Sequence, residues 1–140
     1  MKTKFYATMV LLLVMLILAA CSGSASQAVV DLEGSSWILA AYRQTIPIEL
    51  ARPTLAFADG QVSGIASCNN YGGSYQLDGD RISFGPMFMT EMYCMEPEGI
   101  MEQEALYLQM LGSAERFEIR DGQLVIFMAD GETLLFDSAE

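Results

Sequence analysis

The sequence predicts a mainly β protein, an antiparallel curled sheet or small β-barrel, lipocalin-like in shape, with one α-helix. Three observations support this fold class. Asp-Gly pairs follow short apolar runs at four places, residues 116–120 alternate charged and apolar side chains, and residues 97–111 have helical spacing. Because Asp-Gly fits the tight turn of a hairpin, four such pairs indicate an antiparallel meander. A barrel of about eight strands either fills its interior with side chains or encloses one small ligand.

The first twenty residues have the layout of a secretory signal peptide. Lys2 and Lys4 precede an apolar run from Met9 to Ala20, which is short for a membrane span. The run closes with Leu-Ala-Ala-Cys21, which resembles the lipobox of bacterial lipoproteins. The resemblance implies that the Cys21 sulfur carries a diacylglycerol and that the leader is cut before it. The alternatives are an ordinary signal peptide cut nearby and an uncleaved anchor.

This division predicts a signal peptide at 1–20, a lipidated Cys21 with a flexible tether at 21–34, and one domain at 35–138. The mature part carries five arginines against eighteen carboxylates, a net charge of −13. Such a surface repels phosphate backbones, so we expect no nucleic-acid binding. We expect attachment to a membrane through Cys21, at the outer membrane or the outer face of the cell membrane of a bacterial envelope.

The strands follow from the apolar runs in chain order. Trp37 to Tyr42 suits a first strand, and Thr45 to Leu50, which contains a proline, suits a loop or edge piece. Thr54–Ala58 and Gln61–Ser67 form a hairpin around Asp59-Gly60, since a type I′ turn needs positive φ at both central residues. The other predicted turns are Asp78-Gly79 between Gly73–Leu77 and Arg81–Phe84, Asp121-Gly122 between Arg116–Ile119 and Gln123–Met128, and Asp130-Gly131 before Thr133–Phe136.

The helix is predicted between Pro97 at its start and Gly112 just past its end. Its apolar face is predicted from four residues at helical spacing: Met101, Ala105, Leu108 and Leu111. Acidic side chains crowd its first turns, where they interact favourably with the helix dipole and solvate the outer face. These are Glu96, Glu98, Glu102 and Glu104. The alternative is a cation site, although the spacing lacks the regular oxygen pattern of a calcium loop.

The stretch from Gly64 to Tyr75 indicates a strand that ends in a sharply turning loop. Asn69, Asn70 and Tyr71 form either a recognition patch or a local turn in which the asparagines bond their own backbone and the tyrosine packs a sheet end. The following glycine pair, Gly72-Gly73, suits a bulge or tight corner.

Two cysteines remain in the domain, Cys68 and Cys94, an even pair in an exported chain that predicts a disulfide. The alternative is two buried free thiols. Four methionines lie close to Cys94: Met87, Met89, Met92 and Met95. Soft sulfur ligands select Cu(I), but methionine is also a pliable core filler, so both interpretations stay open.

The residues that are missing exclude most catalytic designs. There is no histidine and no lysine after Lys4. Ser-His-Asp and Cys-His nucleophiles, histidine zinc sites and Schiff-base lysines are therefore excluded. A pair of carboxylates of the glycosidase kind is the surviving alternative.

Two segments together resemble the signature of the META domain, also called HslJ-like. The first segment supplies Gly64, Cys68, Asn69, Asn70, Tyr71, Gly73 and Tyr75, and the second supplies Thr90, Met92 and Cys94. The likeness continues through residues 101–108 and covers about Ser36 to Phe136. It implies a curled antiparallel sheet or barrel with one helix in bacterial envelope proteins, a link to heat-shock and antibiotic stress, and no established catalytic activity.

We therefore predict a lipid-anchored, non-enzymatic envelope module that supports stress tolerance by binding a protein or envelope component. The alternative is a carrier of a small apolar ligand in the barrel interior. Neither hypothesis calls for a cofactor or a metal. A filled interior would favour the module, and a hollow apolar interior would favour the carrier.

Overall fold

The computed structural model describes residues 32–139. The predicted signal peptide, the predicted lipidation site Cys21 and most of the predicted tether lie outside the described residues. Within the described part, no helix has the length and apolar character that a membrane span requires.

Nine strands and one α-helix make up the described chain. The helix α1 spans Ile100–Gly112, and a short 3₁₀ helix spans Glu49–Ala51. The strands are β1 Ser36–Tyr42, β2 Thr54–Ala58, β3 Gln61–Ile65, β4 Asn70–Asp78, β5 Arg81–Phe84, β6 Phe88–Met89, β7 Ala114–Arg120, β8 Gln123–Met128 and β9 Thr133–Ser138.

The sheet closes into a barrel of eight strands. Its order is β3-β2-β1-β9-β8-β7-β5-β4, and β4 pairs with β3 again, which completes the circle. All pairings are antiparallel, with Val62 opposite Gly73 at the closing seam. The short strand β6 pairs with β4 beside the barrel and ends the sheet. The predicted fold class is confirmed, and the barrel is the form it takes.

The four predicted turns fall into two groups. Asp59-Gly60 and Asp121-Gly122 have positive φ at both residues, as a type I′ hairpin requires. The third turn is shifted by one residue, because Asp78 pairs with Arg81 and leaves Gly79 as the first central residue. At the fourth, only Gly131 has positive φ, and its N–H bonds to the Met128 carbonyl. Each sequence signal therefore marks a real turn, but two turns differ in type.

The barrel interior is packed with side chains from every side of the sheet. Fully buried residues of the cluster include Leu39, Leu55, Phe57, Leu124, Ile126, Leu134 and Phe136. From α1, Tyr107 and Leu111 belong to the same cluster, so the helix seals one end of the barrel. This dense packing is typical of a protein core rather than of a ligand cavity.

The helix differs from its predicted bounds and face. It begins at Ile100, whose N–H bonds to the Pro97 carbonyl, so Pro97 lies in the preceding turn. Gly112 is its last residue, not the residue beyond its end. The buried face is Ile100, Gln103, Glu104, Tyr107, Met110 and Leu111. Of the predicted apolar face, only Leu111 is buried, while Ala105 is exposed. Two polar residues thus occupy the inner face, and the apolar periodicity was misleading.

Residues 32–34 belong to the barrel, although the sequence division assigned them to the tether. Leu32 is fully buried in the core. The Glu33 carboxylate accepts hydrogen bonds from the Tyr75 hydroxyl, at 2.8 Å, and from the Asp59 N–H at the first hairpin. The Tyr75 and Asp59 bonds hold the pKa of Glu33 below its usual value. The ordered barrel therefore includes Leu32.

Candidate functional site

Four residues of the META-like pattern, Cys68, Asn69, Thr90 and Met92, are linked around one buried carboxylate, that of Glu104. Its side chain is 2% exposed. One carboxylate oxygen, Oε2, accepts hydrogen bonds from the backbone N–H groups of Cys68 at 2.9 Å and Asn69 at 2.7 Å. The other, Oε1, accepts one from the Asn69 side-chain amide at 2.7 Å. Three donors thus surround a group that the sequence had placed on the solvated face of the helix, and that expectation was wrong for Glu104.

The Asn69 side chain links this carboxylate to the segment after β6. Its Oδ1 accepts hydrogen bonds from the Thr90 hydroxyl and the Met92 N–H, both at 2.7 Å. Its Nδ2 donates to the Met92 carbonyl at 3.0 Å as well as to Glu104. We call these five residues, Glu104, Asn69, Cys68, Thr90 and Met92, the Glu104 network. Every hydrogen-bonding position of the Asn69 amide is used within it.

A disulfide and a second polar helix residue complete the corner. Cys68 and Cys94 are bonded, with their Cα atoms 6.0 Å apart, so the predicted disulfide is supported. Gln103, the residue before Glu104, accepts from the Ile48 N–H at 2.7 Å and donates to the Ala51 carbonyl and the Ser67 hydroxyl. The helix therefore holds two irregular segments, 48–51 and 67–69, through two adjacent polar side chains.

The structure decides against a recognition patch at Asn69 and Tyr71. Both are buried, and only Asn70 of the three is exposed. The local-turn alternative also needs correction, because Asn69 bonds across to Thr90 and Met92 rather than to its own turn, and neither asparagine has positive φ. These side chains serve the architecture of the corner.

Tyr71 and Tyr107 form a buried pair of phenols. Their hydroxyl oxygens lie 2.7 Å apart, and the Tyr71 hydroxyl also bonds to the Thr54 carbonyl at 2.8 Å. Burial raises the pKa of both groups above the ordinary value, and for Tyr107 the neighbouring Tyr71 adds to the rise. Each phenol is therefore neutral in the folded protein at neutral pH.

This pair predicts a loss of stability in alkaline solution. A group whose pKa is raised in the folded state contributes its full stabilisation at any pH below its pKa in the unfolded chain, which is about 10 for tyrosine. Above that pH the unfolded chain releases protons that the folded chain retains, so the free energy of unfolding falls. Urea unfolding across an alkaline pH series measures the effect. Tyr71→Phe should flatten the fall, whereas Tyr93→Phe, at an 81% exposed position, should leave it unchanged. Equal slopes for both variants would contradict the prediction.

Three glycines of this region allow backbones or rings to approach closely. A Cβ on Gly64 would lie 2.0 Å from the Thr54 carbonyl oxygen, and one on Gly72 would lie 2.6 Å from the Phe88 ring. On Gly73 it would lie 3.0 Å from the Pro86 carbonyl oxygen. Both residues of the Gly72-Gly73 pair lie within β4, and the irregularity is in the facing segment 85–87. The bulge thus lies in the segment between β5 and β6, which faces the glycine pair.

We expect Gly64→Ala to lower the free energy of unfolding by about 1–3 kcal/mol, as overpacking of a closed core does. The contact is with backbone, which no rotamer change relieves. Gly112→Ala is the matched control, since a Cβ there would meet nothing within 4 Å. Chemical denaturation of both variants gives the measurement, and equal stabilities would refute the close-approach explanation.

The methionine segment offers no thiolate for Cu(I), because Cys94 is bonded to Cys68. Met89, Met92 and Met95 are 43%, 51% and 81% exposed, and Met87 lines a pocket beside α1. Within residues 32–139, no group of three or more cysteine and acidic side chains is placed to hold a metal ion. Glu104 is bonded by N–H donors rather than by a second carboxylate, so it does not form a glycosidase pair.

Two pockets lie near the pairing of β5 with β7. One, of about 310 Å³, includes Gln76 and Ser83, and the other, of about 390 Å³, includes Asp80 and Phe127. Arg81 and Glu115 line both. A third pocket, of about 410 Å³, lies beside β6 and includes Met87 and Leu108. All three open on the outside of the barrel and leave the packed interior intact.

Comparison with known proteins places this geometry in a described family. A family model for the META domain matches residues 30–140. An NMR structure of a protein from Burkholderia xenovorans has 31% identity and a TM-score of 0.65, over 77% of this chain and 83% of that one. A second NMR structure has 22% identity and a TM-score of 0.63, over 77% and 92%. A DUF4847 family protein from Bacteroides vulgatus shares the fold, at 11% identity and a TM-score of 0.56, over 76% and 93%. No curated protein matches the chain.

Proposed function

Because the chain belongs to the META domain family, we propose that it is a lipid-anchored, non-enzymatic envelope module that supports stress tolerance by binding a protein or another envelope component. The observation that carries this proposal is that the residues of the META-like pattern have structural roles. The Glu104 network, the disulfide and the tyrosine pair all stabilise one corner of the barrel. The outer surface then remains as the part of the domain that acts on other molecules.

The packed interior favours this module over the carrier of a small ligand. A carrier needs an enclosed apolar space, whereas here Phe57, Phe136 and Tyr107 fill the middle of the barrel and are at most 1% exposed. Opening a cavity there would require these rings to move out of a close-packed core. A fluorescent fatty acid should therefore show no saturable binding, and tight one-to-one binding would favour the carrier instead.

The chemistry of the chain supports a non-enzymatic role. The META domain family, to which the chain belongs, is not a known enzyme family. The chain lacks histidine, and its lysines lie only in the first four residues. Within residues 32–139 the most buried carboxylate, that of Glu104, accepts hydrogen bonds from three N–H donors. A carboxylate whose oxygens are occupied by these donors positions backbone rather than substrate.

Replacement of Cys21 tests the proposed anchor and its purpose. In cells, the protein should partition with membranes and incorporate labelled palmitate, and Cys21→Ser should abolish both. Cells that carry only Cys21→Ser should tolerate heat or antibiotic stress as poorly as cells without the protein. Cys94→Ser is the control for replacement of a cysteine outside the leader, because it should retain the label. Membrane association of Cys21→Ser without label would refute lipid anchoring.

A further inference from the structure

Five large apolar side chains stand exposed around β6. We call them the β6 surface: Phe88, Met89, Met92, Tyr93 and Met95, which are between 43% and 81% exposed. Their segment is held at three residues, because Thr90 and Met92 bond to Asn69 and Cys94 is in the disulfide. Five exposed apolar side chains within eight residues of a fixed segment indicate an interaction site.

The outer edge of β6 is free to accept another strand. Within residues 32–139, β6 pairs only with β4 and ends the sheet. The Thr90 N–H bonds to the Asn70 carbonyl, so antiparallel alternation directs the N–H and C=O of Met89 away from β4. An unpaired edge of this kind is a template for an added strand, through main-chain hydrogen bonds.

A pocket lies next to this edge and suits the side chains of an added strand. Its volume is about 410 Å³, and its lining includes Phe84, Met87, Phe88 and Leu108. In strand addition, backbone bonds provide affinity and a neighbouring pocket for alternate side chains provides specificity. The apolar lining calls for an apolar side chain on the incoming segment.

The charge around the β6 surface indicates that the partner carries basic side chains. Residues 82–115 contain six glutamates and neither lysine nor arginine. Four exposed ones lie close in sequence to the β6 surface: Glu91, Glu96, Glu98 and Glu102. The four ion pairs of the described residues all lie outside this segment. Unneutralised carboxylates attract a basic partner, and they repel both anionic headgroups and a second copy of this acidic chain.

We infer that the β6 surface binds an extended peptide segment in which apolar side chains alternate with lysine or arginine, added as a strand to the outer edge of β6. This inference rests on the proposed function, since it names the surface and the class of partner. Apolar side chains of the segment enter the pocket beside β6, and its basic side chains face the glutamates. The partner is a protein that presents such a segment.

A synthetic peptide that alternates valine and arginine tests this, titrated by fluorescence anisotropy against the full chain in detergent, with empty micelles as the blank. We expect saturable binding, and no binding of the matched peptide with glutamate in place of arginine. Met89→Pro removes the outward N–H and keeps the Thr90–Asn70 bond, so it should weaken binding about tenfold. Tyr93→Ser, which leaves the backbone intact, should do likewise. Leu50→Ser, at a 91% exposed position outside the surface, is the control and should bind as the wild type does.

Several outcomes would overturn the inference. Equal binding of the acidic peptide, or unchanged affinity in both Met89→Pro and Tyr93→Ser, would remove the surface as a basic-peptide site. A dimer in sedimentation that Tyr93→Ser dissolves would assign the surface to a second copy. Binding to phosphatidylcholine vesicles that is lost in the same variant would assign it to a membrane. Because the titration uses neither cells nor lipidation, it fails or succeeds independently of the Cys21 experiment.

Discussion

Glu104→Ala is expected to lower the free energy of unfolding by about 3–5 kcal/mol, the largest effect of any single substitution considered. The change leaves the N–H groups of Cys68 and Asn69 and the Asn69 amide without their acceptor. Each buried donor without a partner costs about 1–3 kcal/mol. The melting temperature should fall by at least about 10 °C. Urea unfolding followed by far-UV circular dichroism measures the loss.

Two further variants separate the hydrogen-bonding role of Glu104 from simple loss of side-chain volume. Glu104→Gln keeps the shape but turns one acceptor oxygen into a donor, so it should also destabilise, by about 2 kcal/mol. Glu102→Ala, on the exposed side of the same helix, should change stability by less than about 1 kcal/mol. If Glu104→Gln were as stable as Glu102→Ala, the three hydrogen bonds would not be what holds the corner.

Loss of the Cys68–Cys94 disulfide is expected to lower the free energy of unfolding by about 3 kcal/mol. The bond joins residues 26 apart in sequence. Closing a loop of that length lowers the conformational entropy of the unfolded chain, which stabilises the folded state by about 3 kcal/mol. It also fixes the end of the segment that carries the β6 surface. Thermal unfolding of the Cys68→Ser/Cys94→Ser double variant, compared with wild type with and without reductant, measures the contribution.

The reductant provides the internal control for the disulfide. The double variant should unfold at one temperature in the presence and absence of reductant, and reduced wild type should approach it. Cys21→Ser should respond to reductant as wild type does, because Cys21 has no part in this bond. The expected stabilisation would be contradicted if the melting temperature of the wild type did not change in a reductant that is shown to release both thiols.

The sequence predicted those features that a few neighbouring residues determine. The hairpins at Asp59-Gly60 and Asp121-Gly122 were correct in place and type, because both residues of each pair take the positive φ that the turn requires. Asp78-Gly79 marked a turn but not its register. There the pairing of Asp78 with Arg81 moves the glycine to the first central position. The sequence signal is the dipeptide, whereas register depends on how the two strands pair.

The helix shows where periodicity misleads. Apolar spacing predicted an inner face through Ala105, which is exposed, and missed Gln103 and Glu104, which are buried. A period of apolar residues cannot reveal a polar side chain whose donors come from elsewhere in the chain. Glu104 is bonded by residues 35 and 36 positions away. Glu104 does lie in the helix of the META-like pattern, which was a signal in the sequence. That signal did not distinguish Glu104 from the neighbouring glutamates.

By itself, the sequence determined the antiparallel class, the turn positions, the cysteine pair and the chemistry that the chain lacks, because each depends on residue type or on contacts between neighbours. Only the tertiary structure decided that the sheet closes, that the interior is filled and that Glu104 lies inside while the β6 surface lies outside. The physical reason is that burial of a side chain is a property of the whole packed chain. A carboxylate becomes a core residue, and a run of methionines and aromatics remains at the surface, according to which distant backbone groups and side chains surround them.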